Sequence, residues 1–292
     1  EAASSPSWNT SVYPICDRFP CEEEDFVGAW ADRFPYSFVK NEYDTLLANG
    51  EIRGFNQELM LRIMSDEDRL IQDVDIRWYR HKTVKEHQSR FNFYITTDFA
   101  TSAKAAADYS VISVWALNNN GDWFWVDGVC QRQLMDQNIN DLFRLSQKYK
   151  PQSVGIEVSG QQGGFIPWIQ NEMLQRNCWF NLASEGNSNS PGIRPTTNKM
   201  QRFNLVVPWF KAGKMYFPED LKHEPFMQET MAELSLAASS GFRSKHDDVI
   251  DTISQLASLV TWRPDQEGKV NDASGIWELE EDDNEYDDQL SS

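Results

Sequence analysis

The sequence has no apolar run approaching the roughly 18 residues that a membrane-spanning helix requires, so no stretch of it reads as a span. Its first residues, Glu1-Ala2-Ala3-Ser4-Ser5-Pro6, include no initiator Met and none of the basic and apolar regions of a secretory signal. That start predicts a fragment or a processed piece. Cysteine is scarce: Cys16, Cys21, Cys130 and Cys178 form no C-x-x-C pair, and the four histidines show no zinc-ligand spacing. Free thiols are expected rather than a disulfide framework. Basic residues are few, 27 Lys and Arg against 45 Asp and Glu, for a formal net charge of -18. Taken as a sum, that charge argues against a nucleic-acid partner, yet its distribution matters more. Internal repeats are also lacking.

What is present is enough for a sizeable core. The 292 residues are 40% hydrophobic and 13% aromatic, which suits one large domain plus a smaller piece. Between Glu278 and Asp288 there are eight acids and no base, so nearly half of the net charge sits in one run. Such a run predicts a solvated, disordered tail, or a docking peptide for a basic partner. The balance reverses between Arg194 and Lys222, where Arg194, Lys199, Arg202, Lys211, Lys214 and Lys222 face only Glu219 and Asp220. This strip is a candidate surface for a nucleic-acid backbone, with a merely solvated basic face as the alternative.

Along the chain, residues 1–90 read as a helical tail or linker, with Phe26, Trp30, Phe34 and Phe38 at loosely helical spacing. From Phe91 the pattern changes. Strands are predicted at Phe91 to Phe99, Tyr109 to Leu117 and, after the turn signal Asn118-Asn119-Asn120-Gly121, Trp123 to Cys130. A helix carrying Leu134, Ile139, Leu142, Phe143 and Tyr149 on one stripe is stopped by Pro151 before a strand from Ser153 to Val158. A flexible loop (Gly160 to Gly164), a helix through about Arg176, and a strand from Cys178 to Ala183 follow. The rest reads as helices at Thr197 to Phe210, Pro225 to Ala238 and Asp247 to Trp262, with an extended piece at Met215 to Phe217. Residues 91–265 therefore form the expected main domain, and residues 266–292 the acidic tail.

Three antiparallel strands, then helix, strand, helix, strand and more helices is the element order of an RNase H-like α/β fold, a mixed sheet flanked by helices. In that order the first strand and the strand after the crossover helix lie side by side and parallel. Asp98 and Glu157 then emerge at one edge, and a helix beginning at His246-Asp247-Asp248 can add a third carboxylate. An all-oxygen set of this kind suits Mg²⁺ or Mn²⁺, and two such ions would serve phosphodiester cleavage. Each acid also has a plainer reading: Asp98 as a turn former, Asp247 or Asp248 as a helix N-cap. Glu157 is harder to dismiss, because Val154, Ile156 and Val158 mark a buried strand where an unpaired carboxylate is costly. Asp248, or Asp247, is the better ligand candidate of the helix. Asp251 is expected in solvent, with support of the ligands from behind as the alternative; Asp108 in a turn or a similar supporting place; and His246 at the surface, with a role in polarising a phosphate or positioning water as the alternative.

At these residues a resemblance becomes specific. Ile95-Thr96-Thr97-Asp98, Asp108-Tyr109-Ser110-Val111, Val154-Gly155-Ile156-Glu157, Gly213-Lys214-Met215-Tyr216-Phe217-Pro218 and His246-Asp247-Asp248-Val249-Ile250-Asp251 resemble, in order, the nuclease domain of the terminase large subunit of tailed phages. The piece around Trp30, Arg33-Phe34-Pro35 and Phe55 to Met60 is similar to the end of that family's ATPase region. The resemblance implies a metal-dependent endonuclease that cuts concatemeric viral double-stranded DNA during genome packaging. It implies motif acids at Asp98, Glu157 and Asp247 or Asp248, partners in the portal protein and the terminase small subunit, and action in the host cytoplasm during virion assembly. The sequence departs from the family in one respect: no G-x-x-x-x-G-K-[ST] occurs, so ATP hydrolysis is not assigned to it. The alternatives are an RNase H-like strand transferase or resolvase, which generally has a Glu as third acid at a shorter interval, and a non-catalytic docking module joining motor to portal.

Overall fold

The computed structural model describes residues 13–48, 54–61, 68–100, 109–158, 165–188, 190–244, 246–265, 270–271 and 276–277. The expectations for Asp108, for the loop from Gly160 to Gly164 and for the acidic tail from Glu278 fall outside these residues.

The first described piece closes a small core of its own. Helix α1 (Tyr36–Ala48) presents Val39, Tyr43 and Leu47 to Cys16, Phe19, Phe55 and Met60. Tyr43 meets Phe55 edge-on with ring centroids 5.0 Å apart, a geometry that the ring quadrupoles favour.

Strand β1 (Arg77–Tyr79) and helix α2 (His81–Glu86) precede residue 91, yet β1 belongs to the large sheet. The sheet continues with β2 (Asn92–Asp98), β3 (Ser110–Leu117) and β4 (Trp123–Gln131), an antiparallel meander close to the predicted bounds. Helix α3 (Met135–Tyr149) leads to β5 (Ser153–Ile156), which pairs in parallel with β2. Helix α4 (Phe165–Arg176) follows. The strand expected from Cys178 to Ala183 is reduced to an isolated parallel bridge between Leu182 and Val154, and the short strands β6 (Ser184–Glu185) and β7 (Gly192–Ile193) pair with each other beyond it. Helix α5 (Lys199–Lys211), β8 (Met215–Pro218), helix α6 (Pro225–Ser235), the two-residue strands β9 (Ala237–Ala238) and β10 (Gly241–Phe242), and helix α7 (Asp248–Ser254) complete the domain.

The sheet order is β1-β8-β4-β3-β2-β5, mixed and flanked by helices, which is the RNase H-like arrangement the element order predicts. Alternation along the strands divides the core in two. Phe93, Ile95, Ile112, Val114, Ala116 and Phe124 point to the face covered by α3 and α4, against Ile139, Leu142, Phe143 and Ile169. Tyr94, Val111 and Trp115 point to the face covered by α5, α6 and α7, against Phe203, Phe226, Val249, Ile250 and Ile253. Both faces are covered, so β3 is buried along its whole length, apolar but for Ser110 and Ser113.

The last helix is shorter than the predicted Asp247 to Trp262. It passes into a 3-10 turn at Gln255–Ser258 and ends there. Trp262 lies beyond the helix, its N–H donating to the Tyr94 hydroxyl at 2.7 Å.

Candidate metal centre

Parallel pairing of β2 with β5 sets the geometry. Thr97 is registered with Ile156, so the next residues, Asp98 and Glu157, leave the same edge of two adjacent strands. Such strands run about 4.8 Å apart. Glu157 forms a further parallel bridge with Ile193 of β7, which holds the backbone beyond the end of β5. Helix α7 supplies Asp248 and Asp251, one turn apart on one face, while Val249, Ile250 and Ile253 anchor it to the sheet.

These acids crowd one another. Burial, followed by the charges of Asp251, Asp248 and Glu157, pushes the Asp98 carboxyl well above the usual carboxylate range, and Lys199 only partly opposes this. The other three carboxylates have partners. Asp248 Oδ2 accepts the Tyr109 N–H at 2.9 Å and lies 3.8 Å from His246 Nδ1. Arg202 reaches Asp251 at 2.9 Å and Glu157 at 3.5 Å. Lys199 bridges Asp247 and Asp251, each at 2.7 Å, and these charges hold its ammonium protonated, above its ordinary value, against the opposing cost of burial. No hydrogen bond or ion pair to the Asp98 carboxylate occurs among the described residues.

A second acidic pair lies behind Asp248. Glu229 and Glu233 stand one turn apart on α6 and are buried. Burial, then the charge of Asp248, pushes Glu229 up to about 7, against the pull of Arg18 and Arg132. Burial, then Glu229, pushes Glu233 well up, although its oxygens accept the N–H groups of Val249 at 3.3 Å and Ile250 at 2.9 Å.

The sequence reading is corrected at several of these positions. Asp251 is 3% exposed rather than solvated, because α5 lies across the helix face that carries it and offers Lys199 and Arg202. His246 is 7% exposed rather than at the surface, its ring 5.0 Å from that of Tyr109. The plain N-cap reading of Asp247 also fails, since its side chain makes no cap and turns to Lys199. Of the basic strip, Lys199 and Arg202 come to the carboxylates. Lys211 and Lys214 lie near the other end of α5, roughly 18 Å along its axis, paired with Asp75 and Asp122. Arg194 is exposed ahead of α5.

The donor set suits a hard divalent cation: all oxygen and anionic, with no bond to the Asp98 carboxylate among the described residues. The carboxylates are neighbours rather than a closed cage, since among the described residues no three His, Cys, Asp or Glu side chains converge on one point.

No family model and no curated protein matches the sequence. Solved structures do match. The large terminase nuclease of thermophilic phage G20c, crystallised with magnesium, is 16% identical, with 65% of this chain and 96% of that chain covered and a TM-score of 0.43. The human cytomegalovirus terminase nuclease domain, soaked in manganese, is 12% identical over 65% of this chain and 95% of that chain, with a TM-score of 0.46. The bacteriophage HK97 large terminase is 10% identical over 85% of this chain and 55% of its own length, with a TM-score of 0.35. The chain thus resembles terminase large-subunit nuclease domains from phages and from cytomegalovirus.

Proposed function

We propose that this chain is a divalent-metal-dependent endodeoxyribonuclease that cuts concatemeric viral double-stranded DNA during genome packaging, as the nuclease part of a terminase large subunit. The observation that carries the reading is the Asp98 carboxylate, set beside Glu157 by strand register and close to Asp248, with three like charges around it and, among the described residues, no bonded cation. Such an arrangement is unfavourable for the protein alone and becomes favourable with a bound cation. Asp98, Glu157 and Asp248 would hold Mg²⁺ or Mn²⁺, two ions in the full site. The metal would polarise a phosphate and lower the pKa of a bound water.

The protein's own groups do the rest. Arg202, a planar fork half-buried beside Glu157, orients that carboxylate and offers its remaining N–H groups to a phosphate oxygen. Lys199 holds Asp251 and Asp247 in place and adds positive charge where the DNA backbone would pass. Arg194, Lys211 and Lys214 would contact phosphates further along, with no reading of base edges. The portal protein and the terminase small subunit are proposed as partners, with the host cytoplasm as the place of action.

The test is conversion of supercoiled plasmid by the purified protein with Mg²⁺ or Mn²⁺, beside Asp98→Asn, Glu157→Gln, Asp248→Asn and Asp247→Asn. The first three should lose cleavage while remaining folded, and Asp247→Asn should keep most of it. Normal cutting by all four variants would sink the metal-site reading.

A further inference from the structure

We infer that Glu233 is a positioning residue for the candidate metal centre, an inference that rests on the metal-site reading above. The first four N–H groups of a helix have no partner within it, and a side chain at the N-cap usually supplies one. Helix α7 does without that device, because the Asp247 carboxylate is engaged by Lys199. Glu233 of α6 takes over. Its Oε1 accepts the Val249 N–H and its Oε2 accepts the Ile250 N–H, the two amides directly after Asp248.

The placement is costly. Glu233 is 0% exposed, close to Glu229 and Asp248 and bonded to the Val249 and Ile250 backbone, at a depth where an apolar residue would avoid the expense of burying a carboxyl group. It is too deep to touch DNA. What it does fix is the height and rotation of the first turn of α7, and so the direction in which Asp248 leaves the backbone. The other end of the helix is held separately. Gln255 Nε2 donates to Thr97 O at 2.7 Å, one residue before Asp98, and the Thr252 and Ser113 hydroxyls lie 2.9 Å apart. The end near Gln255 is therefore tied to the strand that bears Asp98; at the other end the Tyr109 N–H holds the Asp248 carboxylate itself and Glu233 holds the backbone that carries it. A Gln at position 233 keeps the shape but sets an NH₂ group against one of the two backbone N–H groups.

The experiment uses the full chain and Mn²⁺ alone as probe, titrated by electron paramagnetic resonance. Glu233→Gln should weaken Mn²⁺ binding about 10- to 100-fold, as loss of a group that orients a ligand does. Leu142→Ala, in the core on the opposite face of the sheet, controls for lost stability and should leave Mn²⁺ affinity within about twofold of the parent. Asp98→Asn should abolish binding. In the unaltered protein, hydrogen exchange at the Val249 and Ile250 amides should be as slow as at Ile253, which keeps the inference testable if Glu233→Gln does not fold. Unchanged Mn²⁺ affinity in Glu233→Gln with loss in Asp98→Asn would overturn the positioning role alone. So would fast exchange at the two amides. Unchanged affinity in Asp98→Asn would overturn the metal reading beneath it.

Discussion

Replacing Asp98 with Asn should make the metal-free protein more stable, not less. Asp248, Asp251 and Glu157 repel the Asp98 charge and Lys199 attracts it. Asp251 is already compensated by Lys199 and Arg202, and Glu157 by Arg202, so about one uncompensated repulsion, that of Asp248, remains. At an effective dielectric constant near 20 and a separation of roughly 6 Å, one such pair costs about 3 kcal/mol. Protonation relieves part of it, so the variant should gain about 2 kcal/mol at pH 8, a rise of roughly 4–8 °C in Tm. The sign follows from linkage. A carboxyl whose folded pKa is raised binds more protons folded than unfolded, so its contribution to stability is present at low pH and is lost as pH rises through the folded value. The advantage of Asp98→Asn should therefore be greatest at pH 8 and shrink toward pH 4. Excess Mn²⁺ should invert the order, because metal at 100 times its Kd stabilises the parent by about 2.7 kcal/mol and the variant hardly at all. Thermal melts in EDTA across this pH range, then with Mn²⁺, measure all of it. A variant less stable than the parent at pH 8, or a gain as large at pH 4, would refute the reasoning.

Three further outcomes are expected. Glu229→Gln should stabilise the protein at pH 8 by an amount on the order of 2 kcal/mol and have little effect at pH 4.5, because a carboxyl raised from 4.5 to about 7 loses its contribution as pH climbs through that interval; melts at both pH values check this. Joint replacement of Lys199 and Arg202 with Ala should weaken binding of DNA of any sequence and reduce the salt slope of binding by about 2, read from fluorescence anisotropy at several salt concentrations. Gly192→Ala should cost about 3 kcal/mol or more in urea unfolding, because Gly192 sits at φ +106° and an added Cβ would lie 2.3 Å from Val158 Cγ1.

The strands and the two strand-end acids were legible because β2 to β5 are dense apolar runs punctuated by turn residues, and parallel register follows from element order alone. The acids on helices were harder. Asp251 lies opposite the apolar face of its helix, a position that predicts solvent, but α5 covers that side too. Thr252, Ser254 and Gln255 interrupt the apolar stripe that suggested a helix to Trp262, and they are buried, bonding to Ser113, Ile250 and Thr97. Glu229 and Glu233 did carry a signal that went unread. They recur one turn apart, among Phe226, Met227, Met231 and Leu234, on a helix without a single basic residue to pair with them.

Strand β1 has a consequence for handling the protein. It lies outside the range that composition assigns to the main domain, yet it covers β8 in register, Trp78 against Phe217, and β8 is buried from end to end. Trimming the chain to begin at residue 91 would strip the sheet of its border strand and leave Tyr216, Phe217 and Pro218 on a bare margin, unpaired on that side. A margin of that kind recruits the nearest extended peptide, most often another copy of itself. Cut at residue 91, the domain would be prone to self-association through β8, with the carboxylates at the far side of the sheet untouched.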